Sequence, residues 1–185
     1  MSDFDIAPGL LVAMPQLEDP NFARSVVLMI RHSDEGSFGI IANRPSEISL
    51  RQVLETLDLN WHGHPDAVVW SGGPVEPDTG FLLHARTDGI AGPECLEIGD
   101  ELLLSTRTQE LERLVATPPE ALRFLMGYSG WGPGQLESEL AQGAWIHAEP
   151  SLRLVFGTDP DRMWEEALRS LGIEPGSLIP GPGVH

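Results

Sequence analysis

The chain has 185 residues, a length that suits one medium domain, and its 41% hydrophobic and 21% charged residues exclude disorder throughout. Eleven basic residues against 28 acidic ones leave a formal net charge of -17, which excludes a free-standing grip on nucleic acid, since phosphate neutralisation needs a basic face. All eleven cations are Arg, and the absence of Lys excludes Schiff-base catalysis, lysine-anchored pyridoxal phosphate and a Walker-type phosphate loop.

Met1-Ser-Asp-Phe-Asp5 is acidic where a secretory leader is basic, and the apolar run Leu10–Met14 is too short for one. No run approaches the ~20 apolar residues of a membrane span. The expected setting is cytoplasmic, with no membrane association. A first strand is predicted over Leu10–Ala13, then a hairpin of Ser25–His32 and Phe38–Asn43 turning at Ser33-Asp-Glu-Gly36. Val26–Ile30 is apolar on both faces, the pattern of a central strand covered on both sides. Ser49 and Gln52 make a capping box for a helix whose apolar face is Val53, Leu54 and Leu57. His62-Gly-His64 falls in the loop that follows and reads as two exposed histidines rather than a metal site.

Strands over Ala67–Trp70 and Phe81–Arg86 flank a long turn, Ser71–Gly80, that turn chemistry explains. Cys95 is the single cysteine, so neither an intramolecular disulfide nor a multi-thiolate zinc site can form. A strand over Leu102–Ser105 leads to Thr106 and Gln109, a second capping box ahead of Leu111, Leu114 and Val115. Leu122–Tyr128 is a strand, and Pro133 opens a helix carrying Leu136 and Leu140 that Gly143 ends. Two further strands are predicted, Ala144–His147 and Leu152–Phe156. Asp159-Pro160 opens a last helix with Met163, Trp164, Ala167, Leu168 and Leu171 on its apolar face, stopped by Gly172. These elements predict an α/β fold of α+β character. Its sheet is mixed and partly antiparallel, flanked by helices in layers, and not doubly wound. One domain is expected over residues 1–171, with a flexible tail over 172–185 that holds four Gly and three Pro.

Ser129 sits where a strand, a Gly-rich turn and a helix meet, the setting of a hydrolase nucleophile elbow. Trp131 occupies the position where that elbow needs Gly, the only His beyond the acidic residues of the last helix is His185 in the tail, and His147 precedes that helix with Glu137 or Glu139 as its available partners. Gly130, Gly132 and Gly134 lack dinucleotide-binding spacing, and the bland reading is a tight turn beneath Trp131. Between Pro20 and Val53 four Arg (24, 31, 44 and 51) face three carboxylates, the least acidic part of the chain. There an anionic ligand is not repelled, and the alternative is pairing with carboxylates across the fold.

Taken in order, several segments resemble the YqgE/AlgH family. They are Ala13-Met-Pro-Gln-Leu-Glu-Asp-Pro-Asn-Phe-Ala-Arg-Ser-Val26, His32 with Gly39, and Asn43-Arg-Pro45. Gly72-Gly-Pro-Val75 with Asp78, Gly80 and His84 follows, then Gly130-Trp-Gly-Pro-Gly-Gln-Leu-Glu137 and Trp145. The resemblance runs from about Gly9 to the last helix. It implies a bacterial cytoplasmic protein with a mixed sheet flanked by helices. It also implies an unsettled function, with some members described as transcriptional regulators and no agreed catalytic residues. The family pattern usually has Ala at the position of Ser129, which weighs against a nucleophile there.

The expected function is a non-catalytic binding or regulatory protein that acts through a protein partner or a small anionic ligand. The alternatives are an enzyme on a small anionic molecule, using Arg24, Asn43, Arg44 and His84, or a serine hydrolase using Ser129. The expected binding residues are Arg24, His32, Asn43, Arg44, Asp78, His84 and Trp131. Arg24, His32 and His84 are expected within reach of the Asn43-Arg-Pro45 strand end, where Pro forces the chain to turn away. No metal, no cofactor, no catalytic residue and no direct non-specific nucleic acid binding are expected.

Overall fold

The structure, a computed structural model, describes residues 6–86, 95–106 and 108–177, without the side chains of Thr108 and Gln109. The Thr106–Gln109 capping box and His185 therefore lie outside the described residues. The first strands are β1 (Gly9–Ala13), β2 (Val26–Ser33), β3 (Gly36–Ile41) and β4 (Pro45–Ser49), followed by α1 (Leu50–Thr56). The middle of the chain forms β5 (Val68–Ser71), β6 (Val75–Ala85), β7 (Leu96–Ile98), β8 (Leu102–Ser105) and α2 (Thr108–Ala116). The last part forms β9 (Leu122–Trp131), α3 (Gln135–Ala141), β10 (Trp145–Ala148), α4 (Leu152–Gly157) and α5 (Pro160–Ser170).

The strands join in the order β10-β1-β2-β3-β9-β6-β8-β7, with β5 bridging β9 and β4. Every pairing is antiparallel except β5 with β9, so the sheet is mixed and the fold is α+β in character. β9 ties the sheet together. Its last residues pair with β3, from Gly39 with Ser129 to Ser37 with Trp131, while Leu122–Tyr128 pair with β6.

The Gly72-Gly73 connection between β5 and β6 passes tightly against β9 where β9 changes partners. Gly127 has φ 79 and Gly73 φ 150. A Cβ on Gly127 would strike the Gly73 carbonyl oxygen, and one on Gly73 the Tyr128 carbonyl oxygen. Only glycine supplies both the backbone angles and the close approach. This accounts for the Gly72-Gly-Pro-Val75 motif.

The hairpin forms as the sequence predicts, and β2 is central. Val26, Leu28 and Ile30 enter a core shared with α4 and α5, while Val27 and Met29 enter a second core with α3. A third core lies under α1 and α2, built on Leu50, Leu54, Leu82, Leu114, Val115 and Phe124. Ser49 caps α1 as expected, yet Leu57 lies just past its end and is 52% exposed. In α5, Asp159 accepts from the Asp161 N–H, Met163, Trp164, Ala167 and Leu168 are buried, and Trp164 Nε1 donates to the Ala13 carbonyl at 2.7 Å.

Leu152–Phe156 is helical and not the predicted strand. Pro150 cannot donate to a ladder, Glu101 takes the Leu152 N–H, and Ser151 caps the Leu154 N–H at 3.1 Å. The predicted turn Ser71–Gly80 is shorter than expected: β6 already begins at Val75, and its register shifts between Val75 and Gly80. Beyond Gly172, Ile173 donates its N–H to the Leu168 carbonyl and packs on the first core.

Candidate functional site

At the Asn43-Arg-Pro45 strand end the polar groups serve the backbone. Asn43 Oδ1 accepts from the Val26 N–H at 3.0 Å, and Nδ2 donates to the Arg24 carbonyl at 3.1 Å. Arg44 donates from Nη1 to the Pro20 carbonyl at 3.2 Å and from Nη2 to that of Ala23 at 3.0 Å. Together they clamp the turn that precedes β2. Burial pushes the Arg44 pKa down, opposed by the neighbouring Asp19. Arg24 projects outward, with its guanidinium 4.7 Å above the Trp164 ring and 3.4 Å from Glu165.

Beside this clamp lies a cation that the sequence reading passed over. Arg123 is 8% exposed, donates to the Ala42 carbonyl at 3.0 Å, and lies over Trp70 at 4.0 Å and Phe156 at 4.8 Å. Burial lowers its pKa to about 10. Aromatic faces take the place of a carboxylate around it. One signal was legible: a single charge inside the apolar run Leu122-Arg-Phe-Leu125.

His32 lies at the opposite end of β2 from Asn43, about 20 Å away at the rise of a strand. Its Nδ1 is 2.6 Å from Ser37 Oγ and its Nε2 3.1 Å from Glu137 Oε1. Trp131 is buried nearby and anchors an aromatic group. Phe22 stacks on it at 5.8 Å and meets Trp145 edge-on at 5.7 Å. Both indoles donate to Glu139 Oε2, at 3.0 and 2.8 Å. Ser129 is fully buried and donates its hydroxyl to the Gly72 carbonyl at 3.1 Å.

His84 lies on another face, beneath α2. It is fully buried, with Nε2 2.9 Å from Ser105 Oγ, which is in turn 3.1 Å from Cys95 Sγ. Desolvation lowers the His84 pKa, helped by Arg113 and opposed by the Ala85 carbonyl and Glu110. Ser105 borders a cavity of about 440 Å³ between α1, α2 and β6, with walls that include Val53, Leu82, Leu111 and Phe124. Asp78, Thr79 and Thr106 supply its polar groups. The seven expected binding residues are thus divided. Arg24, Asn43 and Arg44 meet at the turn, His32 and Trp131 lie near α3, and His84 and Asp78 belong to the cavity region. His64 serves its own loop, where its Nδ1 accepts the Asp66 N–H.

The AlgH-like family model matches residues 10–176. The chain is 43% identical to a UPF0301 protein from Myxococcus xanthus, over 98% of this chain and 99% of that one. It is 38% identical to a UPF0301 protein from Paracoccus denitrificans, over 94% of each. The solution structure of the AlgH protein from Pseudomonas aeruginosa superposes with a TM-score of 0.77 at 34% identity, covering 100% of this chain and 98% of that one. A crystal structure from Corynebacterium diphtheriae shares the fold, with a TM-score of 0.70 at 24% identity over 88% of this chain and 85% of its own.

Proposed function

From the premise that this chain belongs to the AlgH-like family, whose function is uncharacterised, we propose a binding and regulatory protein that responds to a small ligand. The observation that carries this reading is the cavity between α1, α2 and β6. Its size is in the range of small-molecule sites, and it combines apolar walls with a few polar groups. Its described wall holds Asp78 and hydroxyls but no Arg, which favours a neutral or cationic ligand with an apolar body over an anionic one. The exposed Leu57 borders the cavity, and Ile48 is exposed on the adjoining β4. Ligand occupancy there would alter an apolar surface that a protein partner can read.

A neutral solvatochromic dye tests the reading. It is expected to bind saturably, to be displaced by neutral amphipathic metabolites, and to raise the melting temperature. Val53→Trp, which fills the cavity from α1, is expected to abolish binding while the circular dichroism stays native. Equal binding by Val53→Trp, or no saturable binding by the wild type, overturns it.

A further inference from the structure

A second arrangement of groups lies away from that cavity, where the β2–β3 hairpin meets α3. His32 and Ser37 face each other across the hairpin, and Ser37 pairs in turn with Trp131 of β9. Gly36 makes this placement possible: it has φ 137, and a Cβ there would strike the Trp131 carbonyl oxygen. The hairpin end therefore closes onto β9 only with glycine before Ser37. Glu137, in the first turn of α3, reaches back to the far side of the imidazole.

In the neutral imidazole the two contacts divide the protons between the ring nitrogens. A carboxylate accepts only, so Glu137 Oε1 takes the N–H of His32 Nε2 at 3.1 Å. Nδ1 then carries the lone pair, and the Ser37 hydroxyl donates to it at 2.6 Å. We propose that Ser37, His32 and Glu137 form an acyl-transfer triad that acts on small carboxylic esters, with the two imidazole nitrogens exchanged relative to the usual serine-hydrolase arrangement.

None of the other three buried serines among the described residues has this set, and Ser25 gives its proton to the Phe22 carbonyl at 2.7 Å. Ser129 gives its proton to a backbone carbonyl. Ser105 meets His84 Nε2, but the far nitrogen of that ring faces the Ala85 carbonyl at 3.2 Å and not a carboxylate. Ser37 is 9% exposed and contributes to the border of a shallow depression of about 290 Å³, which His32 and Glu137 do not line. Arg31, which pairs with Phe38 on the opposite face of the hairpin from His32 and Ser37, makes no ion pair among the described residues.

In the proposed step, Ser37 Oγ bonds to the acyl carbon as its proton passes to His32 Nδ1. The ester C–O bond breaks, and the leaving alcohol takes that proton. Water then attacks the acyl-serine by the reverse route and releases the carboxylic acid. Glu137 is a positioning residue: it fixes the tautomer and stabilises the imidazolium through Nε2–H.

The test is independent of the cavity proposal. The full-length protein is treated with a fluorophosphonate probe, and the modified residue is mapped by mass spectrometry. Stoichiometric modification of Ser37 is expected, together with a matching burst of nitrophenolate from p-nitrophenyl acetate. Ser37→Ala abolishes both, and His32→Gln slows labelling by about a hundredfold or more, the usual contribution of a general base. Glu137→Gln slows it by a smaller factor at an unchanged melting temperature, and Glu137→Asp recovers part of the loss. An unlabelled Ser37 in folded wild-type protein, a label on Ser105 or Ser129 instead, or an undiminished rate in His32→Gln overturns the proposal.

Discussion

Arg44 satisfies two carbonyls of a turn that no strand reaches, and its partial burial makes those bonds count for more than surface ones. Arg44→Ala is expected to cost up to about 3 kcal/mol, the upper end for hydrogen bonds made by a charged group, read as a lower urea midpoint at unchanged slope. Dye binding in the distant cavity should persist, which separates the clamp from a ligand site. His84 gives a pH signature of defined sign. Its pKa is lowered from 6.5 in the fold, so the unfolded chain takes up the proton first as pH falls. The stability it contributes is complete above about pH 6.5 and is lost as pH falls from there towards the folded-state pKa. Urea unfolding at pH 7.5 and 5.5 should show a smaller difference for His84→Asn than for the wild type. An equal difference would remove His84 as the source.

Among the elements, the crossing of β9 with the Gly72-Gly73 segment is the point most sensitive to a single methyl group. Gly134 and Gly127 have nearly the same φ, 74 and 79, yet a Cβ on Gly134 meets nothing within 4 Å. Gly134→Ala is therefore expected to cost only the left-handed backbone penalty of about 1–2 kcal/mol. Gly127→Ala adds a collision with the Gly73 carbonyl, and its melting temperature should fall well below that of Gly134→Ala. The hairpin and α5 were legible in the sequence because turn residues, caps and apolar periodicity agreed there. Leu152–Phe156 was misread because five apolar-rich residues satisfy the period of a strand and of a helix alike. β4 was missed because Pro45-Ser-Glu-Ile-Ser49 is mostly polar and earns its ladder only from β5. Site chemistry was less legible for a similar reason. His32 and Trp131 could be singled out by type, but Ser37, Glu137, Ser105 and Arg123 acquire their roles only through pairing between distant segments.

For the whole molecule, charge placement decides what the surface can hold. Arg24, Arg86, Arg113, Arg162 and Arg169 each lie against a carboxylate, Arg44 serves carbonyls, and Arg123 is buried. Among the described residues this leaves Arg31, Arg51 and Arg153 as cations without an ion pair, on three different elements. Three scattered cations do not make the stripe that follows a phosphate backbone, and the net charge of -17 repels a duplex at long range. Screening at about 0.15 M salt shortens that repulsion to roughly 8 Å but supplies no attraction. The purified protein at low micromolar concentration is therefore expected to leave duplex DNA unshifted in a gel at that salt. Any role in transcription would then run through a protein partner, and a shift should appear only when that partner is added. Retardation by the purified protein alone would overturn this expectation.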